Sequence, residues 1–350
     1  MVKDKKMKCF LFAEVILVLA LLCLMGGDAK TKKVISTATN EDYIKWVDFT
    51  VSYEALCAAY EWDVKTYGTT HKVDWIELLA YTATQTGAKF DSKALKILHK
   101  TADKLSNGET TMKELSEDLK YYSYYHQAYT AVLGGLVGEY QRETVDDSGQ
   151  KQYENTYGLK GYFPLAKGFD YSHCDDFGVG RSYGYQRKHL GHDMMGAVGT
   201  PIIAVESGMV EALGWNQYGG WRIGIRSFDR KRYYYYAHLR QNYPFAENLE
   251  EGSIVTAGDV IGYMGHTGYS QKENVNNIKI THLHWGLQLI FDESQKECNS
   301  EIWIDVYPLT RFLAKHTQET VKVEGTKEWV RTLGIVDPAV EQKKAENLEK

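Results

Sequence analysis

Thr281-His282-Leu283-His284-Trp285-Gly286-Leu287-Gln288-Leu289 is the stretch on which the fold reading turns. The apolar alternation that follows its two histidines marks a β-strand, and a period of two puts His282 and His284 on the same face. Two imidazoles then project side by side into one site. Histidines 173, 189, 192, 238, 266, 282 and 284 make seven of the chain's eleven, so the chemistry is sought in this part of the 350 residues.

Working outward, His189-Leu190-Gly191-His192-Asp193 places a histidine and a carboxylate four apart. Gly191 argues against a helix there and for a loop entering a strand, folded so that the two side chains meet. Such a pair needs one more nitrogen to make a three-ligand zinc site with a fourth position open, and His284 can supply it. Tyr233-Tyr234-Tyr235-Tyr236-Ala237-His238-Leu239 reads as another strand, in which alternation gives Tyr234, Tyr236 and His238 a common face. Segments 199–210 and 221–226 read as further strands.

In this order and at these separations the segments resemble the lysostaphin and LytM type of zinc endopeptidases, which cut bacterial cell-wall peptides. The resemblance covers roughly 158–313. It rests on Gly199-Thr200-Pro201, Tyr236-Ala237-His238-Leu239, Gly252, Gly258-Asp259-Val260-Ile261-Gly262, Gly265-His266-Thr267-Gly268 and His282-Leu283-His284. It implies that His189, Asp193 and His284 hold one Zn²⁺ per chain, and that His238 and His282 stand around the open position as the catalytic pair. One of these would take a proton and the other would hydrogen-bond the developing oxyanion, with the order left open. Peptidoglycan stems or cross-bridges are the implied substrate. The chain departs from the family in a longer segment over 269–280 and in Trp285-Gly286, where phenylalanine and glutamate are common. His192, His266 and His173, the last beside Asp175 and Asp176, are read as structural or surface histidines.

Upstream, apolar residues recur at helical intervals over 43–67 and 73–88. Asp91-Ser92 caps a third helix over 93–105. Thr110-Thr111 caps a fourth that runs through Leu115, Leu119, Tyr122 and Tyr125 toward Leu136. Thr144 to Gln150 then looks like a hairpin turn. At the N-terminus, Lys3, Lys5, Lys6 and Lys8 precede an apolar run over 9–27, which reads as an export signal or a retained membrane anchor. The polypeptide beyond is therefore expected outside the cytoplasm. A net charge of −5 provides no basic field for phosphates, so nucleic acid is not expected as a partner. Cys57, Cys174 and Cys298, left after two cysteines in the apolar run, have no metal-ligand spacing and imply no disulfide framework.

The expected architecture is α+β and multidomain: a signal or anchor over 1–30, a helical bundle over 31–140, a hairpin or linker over 141–157, a mainly antiparallel β domain over 158–315, and a charged, helix-prone, peripheral tail over 316–350. The expected function is zinc-dependent endopeptidase. The alternative is a scaffold or activator of cell-wall hydrolases that keeps the fold without the activity. A His-Glu-x-x-His helix is absent. A cupin reading of His282-x-His284 lacks the glutamate it needs, since Leu287-Gln288-Leu289 follows.

Overall fold

Ser52, Asp74 and Asp91 each turn a side-chain oxygen onto backbone N–H groups two or three residues ahead, and each starts a helix. The computed structural model describes residues 43–182, 186–296 and 300–348. The segment 9–27 and Cys298 lie outside that set. Helices α1 (Tyr53–Thr66), α2 (Trp75–Thr86) and α3 (Ser92–Ser106) follow these caps, so the first begins ten residues later than the periodicity alone allows. The expected fourth helix is two. A reciprocal Thr111/Glu114 capping box opens α4 (Met112–Ser116), the chain turns over 117–121, and α5 (Tyr122–Leu133) follows. Turn bonds Leu119 N–H to Ser116 O and Tyr122 N–H to Leu119 O close that break. The turn re-aims the chain so that Tyr129, Val132 and Leu133 of α5 are buried in the core to which α2 contributes Leu78 and Leu79.

Strands β1 (Val137–Val145) and β2 (Lys151–Leu159) pair antiparallel from Val137↔Leu159 to Val145↔Lys151. Asp146 holds the turn between them by accepting from the N–H groups of Ser148 and Gln150, both at 2.9 Å. The β part continues with β3 (Tyr171–His173), β4 (Gly180–Ser182), β5 (Gln186–Lys188), β6 (His192–Gly196), β7 (Pro201–Ile203), β8 (Gly208–Asn216), β9 (Gly220–Ser227), β10 (Arg232–Ala237), β11 (Ile254–Val255), β12 (Val260–Tyr263), β13 (His282–Leu289) and β14 (Ile302–Ile304). The main sheet runs β11-β8-β9-β10-β13-β6-β3, with β14 also on β13, and every neighbour is antiparallel.

One face of that sheet is core. Ile223, Ile225, Tyr234, Tyr236, Trp285 and Leu287 are buried on it, and the same hydrophobic cluster continues through Leu136 and Val205 into Leu56, Leu79 and Leu98 of the helices. Arg232 of β10 ties the parts together. Only 2% exposed, it donates to Glu206 at 2.7 Å, to Asp229 at 2.9 Å and to the carbonyl of Ala131 at 2.9 Å, near the end of α5, where a cation suits the helix dipole. Removing it leaves Glu206 buried without its cationic partner. Arg232→Ala is expected to cost about 3–5 kcal/mol, read from chemical denaturation of the full chain.

Residues past 315 are helical only in part. After α6 (Tyr307–Leu313) come the hairpin β15 (Thr320–Lys322) and β16 (Trp329–Arg331), then β17 (Ile335–Val336) beside β1, and finally α7 (Pro338–Leu348). Asp337, 2% exposed, accepts from Lys160 at 3.0 Å and from Ser207 at 2.7 Å. The expectation of a peripheral tail is corrected there, because a buried carboxylate with two partners holds the segment to the body.

Candidate metal centre

β6 and β13 are neighbours in the sheet, and their register makes Asp193 and His284 direct cross-strand partners, with His282 opposite Met195. His189 comes from the loop before β6. Gly191 makes this possible: a Cβ there would lie 2.5 Å from the His284 ring and 3.0 Å from the Trp285 carbonyl. Gly191→Ala is therefore expected to push His284 aside and weaken the affinity of this candidate site for added zinc roughly 10- to 100-fold, measured by competition with a chromogenic chelator.

Three atoms converge. His189 Nε2 is 3.1 Å from Asp193 Oδ1 and 3.1 Å from His284 Nδ1, and the last two are 2.8 Å apart. The atoms bound to a tetrahedral zinc at about 2.0–2.1 Å stand roughly 3.3 Å from each other, so the triangle has the right size. Its chemistry fits as well. Asp176 Oδ1 lies 3.0 Å from His189 Nδ1 and can hold the ring proton there, which would free Nε2 to give its lone pair to a metal in place of its contact with Asp193. Burial would raise the Asp193 carboxyl, but the facing imidazoles of His189 and His284 outweigh it and hold the group far below the usual carboxylate range. The carboxylate is thus charged and ready to bind a cation. Arg181 clamps the outer edge, reaching Asp193 Oδ2 at 2.7 Å and Asp176 Oδ2 at 2.5 Å.

His238 reaches the same place by a route that alternation does not foresee. Tyr234 and Tyr236 point into the core, where their hydroxyls donate to Glu206 and accept from Val205 N–H, so a regular strand would carry His238 there too. Instead His238 follows the end of β10 with a φ of +64°, a left-handed conformation that swings the ring to the opposite face. Its N–H donates to Gly219 O at 2.7 Å, and its Nδ1 lies 2.9 Å from Thr267 O. The His238 ring centroid is 4.7 Å from that of His282 and 5.9 Å from that of His284. His282 Nδ1 lies 2.8 Å from Ile280 O. Both rings therefore spend their Nδ1 protons on backbone carbonyls and keep Nε2 for other chemistry, that of His282 standing 3.7 Å from Asp193 Oδ2. Burial, followed by the charges of His282 and His284, pushes the His238 imidazole well below its ordinary range, so it is neutral at pH 7.

The remaining histidines stay apart from this group. His192, opposite Trp285 in the register, faces away from Asp193 and lies 2.8 Å from His173, with Tyr307 packed against both rings. Burial lowers its pKa to about 4. His266 Nδ1 is 2.7 Å from Ile278 O. Asp176 and Arg181 are the members that sequence reasoning missed, since 13 and 8 residues of loop and short strand separate them from His189 without periodicity. Cavities of ≈ 470 Å³ and ≈ 400 Å³ border the site, the first touching His284 and the second Asp193 and His282. A cavity of ≈ 540 Å³ bounded by Leu249, Val255 and Trp329 lies elsewhere, and no histidine lines it.

Residues 187–297, which carry all five of these side chains, match the profile of Peptidase family M23. Through this segment, about a third of its length, the chain is similar to peptidase family M23. The chain is also similar to an L-Ala–D-Glu endopeptidase of Bacillus subtilis, 40% identical over 125 residues, which are 36% of this chain and 37% of the relative. Lysostaphin of Staphylococcus simulans is 39% identical over 83 residues, 23% of this chain and 16% of the relative. The chain thus spans well under half the length of either. A crystal structure of a candidate glycyl-glycine endopeptidase of LytM type from Ruminococcus gnavus shares the fold, at a TM-score of 0.52 and 23% identity over 81% of this chain and 95% of that one. The α+β architecture, helices followed by a large antiparallel sheet, is common to both.

Proposed function

We propose that the chain is a zinc-dependent endopeptidase acting on bacterial peptidoglycan peptides outside the cytoplasm. The observation that carries the reading is the meeting of His189 Nε2, Asp193 Oδ1 and His284 Nδ1 within 2.8–3.1 Å, beside two more imidazoles held through Nδ1 by backbone carbonyls. In this reading His189, Asp193 and His284 hold the metal, and His238 and His282 are the catalytic residues. Bound there, zinc supplies a Lewis acid that polarises a peptide carbonyl and brings a water's pKa toward neutrality.

The protein's own groups do the rest. Asp176 fixes the His189 tautomer, and Arg181 fixes the Asp193 carboxylate. Of the two imidazoles, one accepts the proton of the attacking water at Nε2 and returns it to the leaving amine, while the other, when protonated at Nε2 as well as Nδ1, would donate to the carbonyl oxygen as charge builds on it. Residues 158–315 carry this chemistry and 31–140 support it. The segment 9–27 exports or anchors the chain, and among the described residues no helix is long and apolar enough to cross a membrane. Names of the M23 relatives point to two substrate types, an L-Ala–D-Glu bond and glycyl-glycine bonds.

The test joins metal analysis to hydrolysis. The chain from residue 30 onward is assayed for zinc, then incubated with purified peptidoglycan, and released termini are identified by mass spectrometry. About one zinc per chain with new peptide ends supports the enzyme. Zinc without cleavage moves the reading to the scaffold, and absence of zinc removes the metal centre on which the enzyme reading rests.

A further inference from the structure

The cleft differs on the two sides of the His189, Asp193 and His284 group. On the His282 flank its wall is largely apolar, with Met195, Ile278 and Ile280. On the His284 flank it is cationic, lined by Arg187, Lys188, Arg222 and Lys296 around Tyr235 and Trp303. A chain of net charge −5 has gathered four cations beside one candidate ligand.

Three of the four are uncompensated. Lys296 pairs with Glu211, and Glu301, the acid of this cavity, accepts from Trp303 Nε1 at 2.7 Å. Among the described residues, Arg187, Lys188 and Arg222 have no ion-pair partner. Arg187 Nε and Arg222 Nη1 are moreover enclosed atoms without a hydrogen-bond partner among the described residues. Enclosed guanidinium N–H groups are costly to leave unpaired, and a carboxylate is the group whose two oxygens match them.

Their position is set by the sheet. Arg222 leaves β9 on the face shared by Gly224, and Gly224 pairs with Tyr235. The Tyr235 ring is 6.0 Å from the His284 ring, and the Arg187 guanidinium lies 5.1 Å from the centre of the Tyr269 ring, which is itself stacked on His238.

We propose that Arg222 and Arg187 form a carboxylate-binding subsite on the His284 flank. Peptides with a free carboxylate on one side of the scissile bond and a small apolar residue on the other are then preferred over uncharged glycine bridges. The inference rests on the hydrolase reading above and names its substrate class.

Two synthetic peptides test it: one with an L-Ala–D-Glu bond, the other its twin in which the free carboxylate of that Glu is a carboxamide. Wild-type zinc protein is expected to favour the acid in kcat/KM by roughly 10- to 100-fold, the range for a hydrogen-bonded charge. In Arg222→Gln that ratio falls to near one, and Arg222→Lys restores part of it. Equal rates on the two peptides in wild type overturn the subsite, as does a variant that loses rate on both and keeps the ratio. Should wild type cleave neither, calorimetric binding of the same peptides separates the two readings. Tighter binding of the acid that Arg222→Gln abolishes keeps the subsite while hydrolysis falls, and equal binding removes the subsite.

Discussion

His284→Ala is expected to take the protein from about one zinc per chain to none retained through dialysis, with hydrolysis at background. Three donor atoms 2.8–3.1 Å apart make the site, so losing one leaves a two-ligand remnant that holds the ion far less tightly. Asp193→Ala should match it, with a second consequence: Arg181 loses its 2.7 Å contact to that carboxylate and is left to Asp176. Both variants should stay folded, because neither side chain belongs to the buried apolar cluster. Full zinc occupancy in either would remove this ligand set.

His238→Ala and His282→Ala are expected to do the opposite, keeping zinc near one per chain while kcat falls about 10²- to 10⁴-fold. The two imidazoles stand beside the ligand group, and each is tied by Nδ1 to a backbone carbonyl, at 2.9 Å for His238 and 2.8 Å for His282. Losing either deprives proton transfer or the developing oxyanion of its partner without touching a ligand atom. Zinc analysis and single-turnover hydrolysis on the same preparation separate the outcomes. A His282→Ala protein with parent activity would sink the catalytic role given to that residue.

Local order accounts for what could be read directly along the chain. A strand has a period of two, so His282 and His284 had to share a face, and Gly191 barred a helix between His189 and Asp193, as the loop leading into β6 bears out. Helix caps at Asp91 and Thr111 and the turn around Asp146 were equally local, each a side chain bonding its own neighbours. Tertiary structure decided the rest. His238 escapes the face that alternation assigns it because one residue takes a positive φ to reach the Gly219 carbonyl, a condition set by a turn 19 residues away. The break after α4 and the docking of Asp337 answer to partners in the assembled core. Asp176, Arg181, Arg187 and Arg222 acquire meaning only when separate loops and strands are laid side by side, because a charge is matched, or left unmatched, by what lies next to it in space.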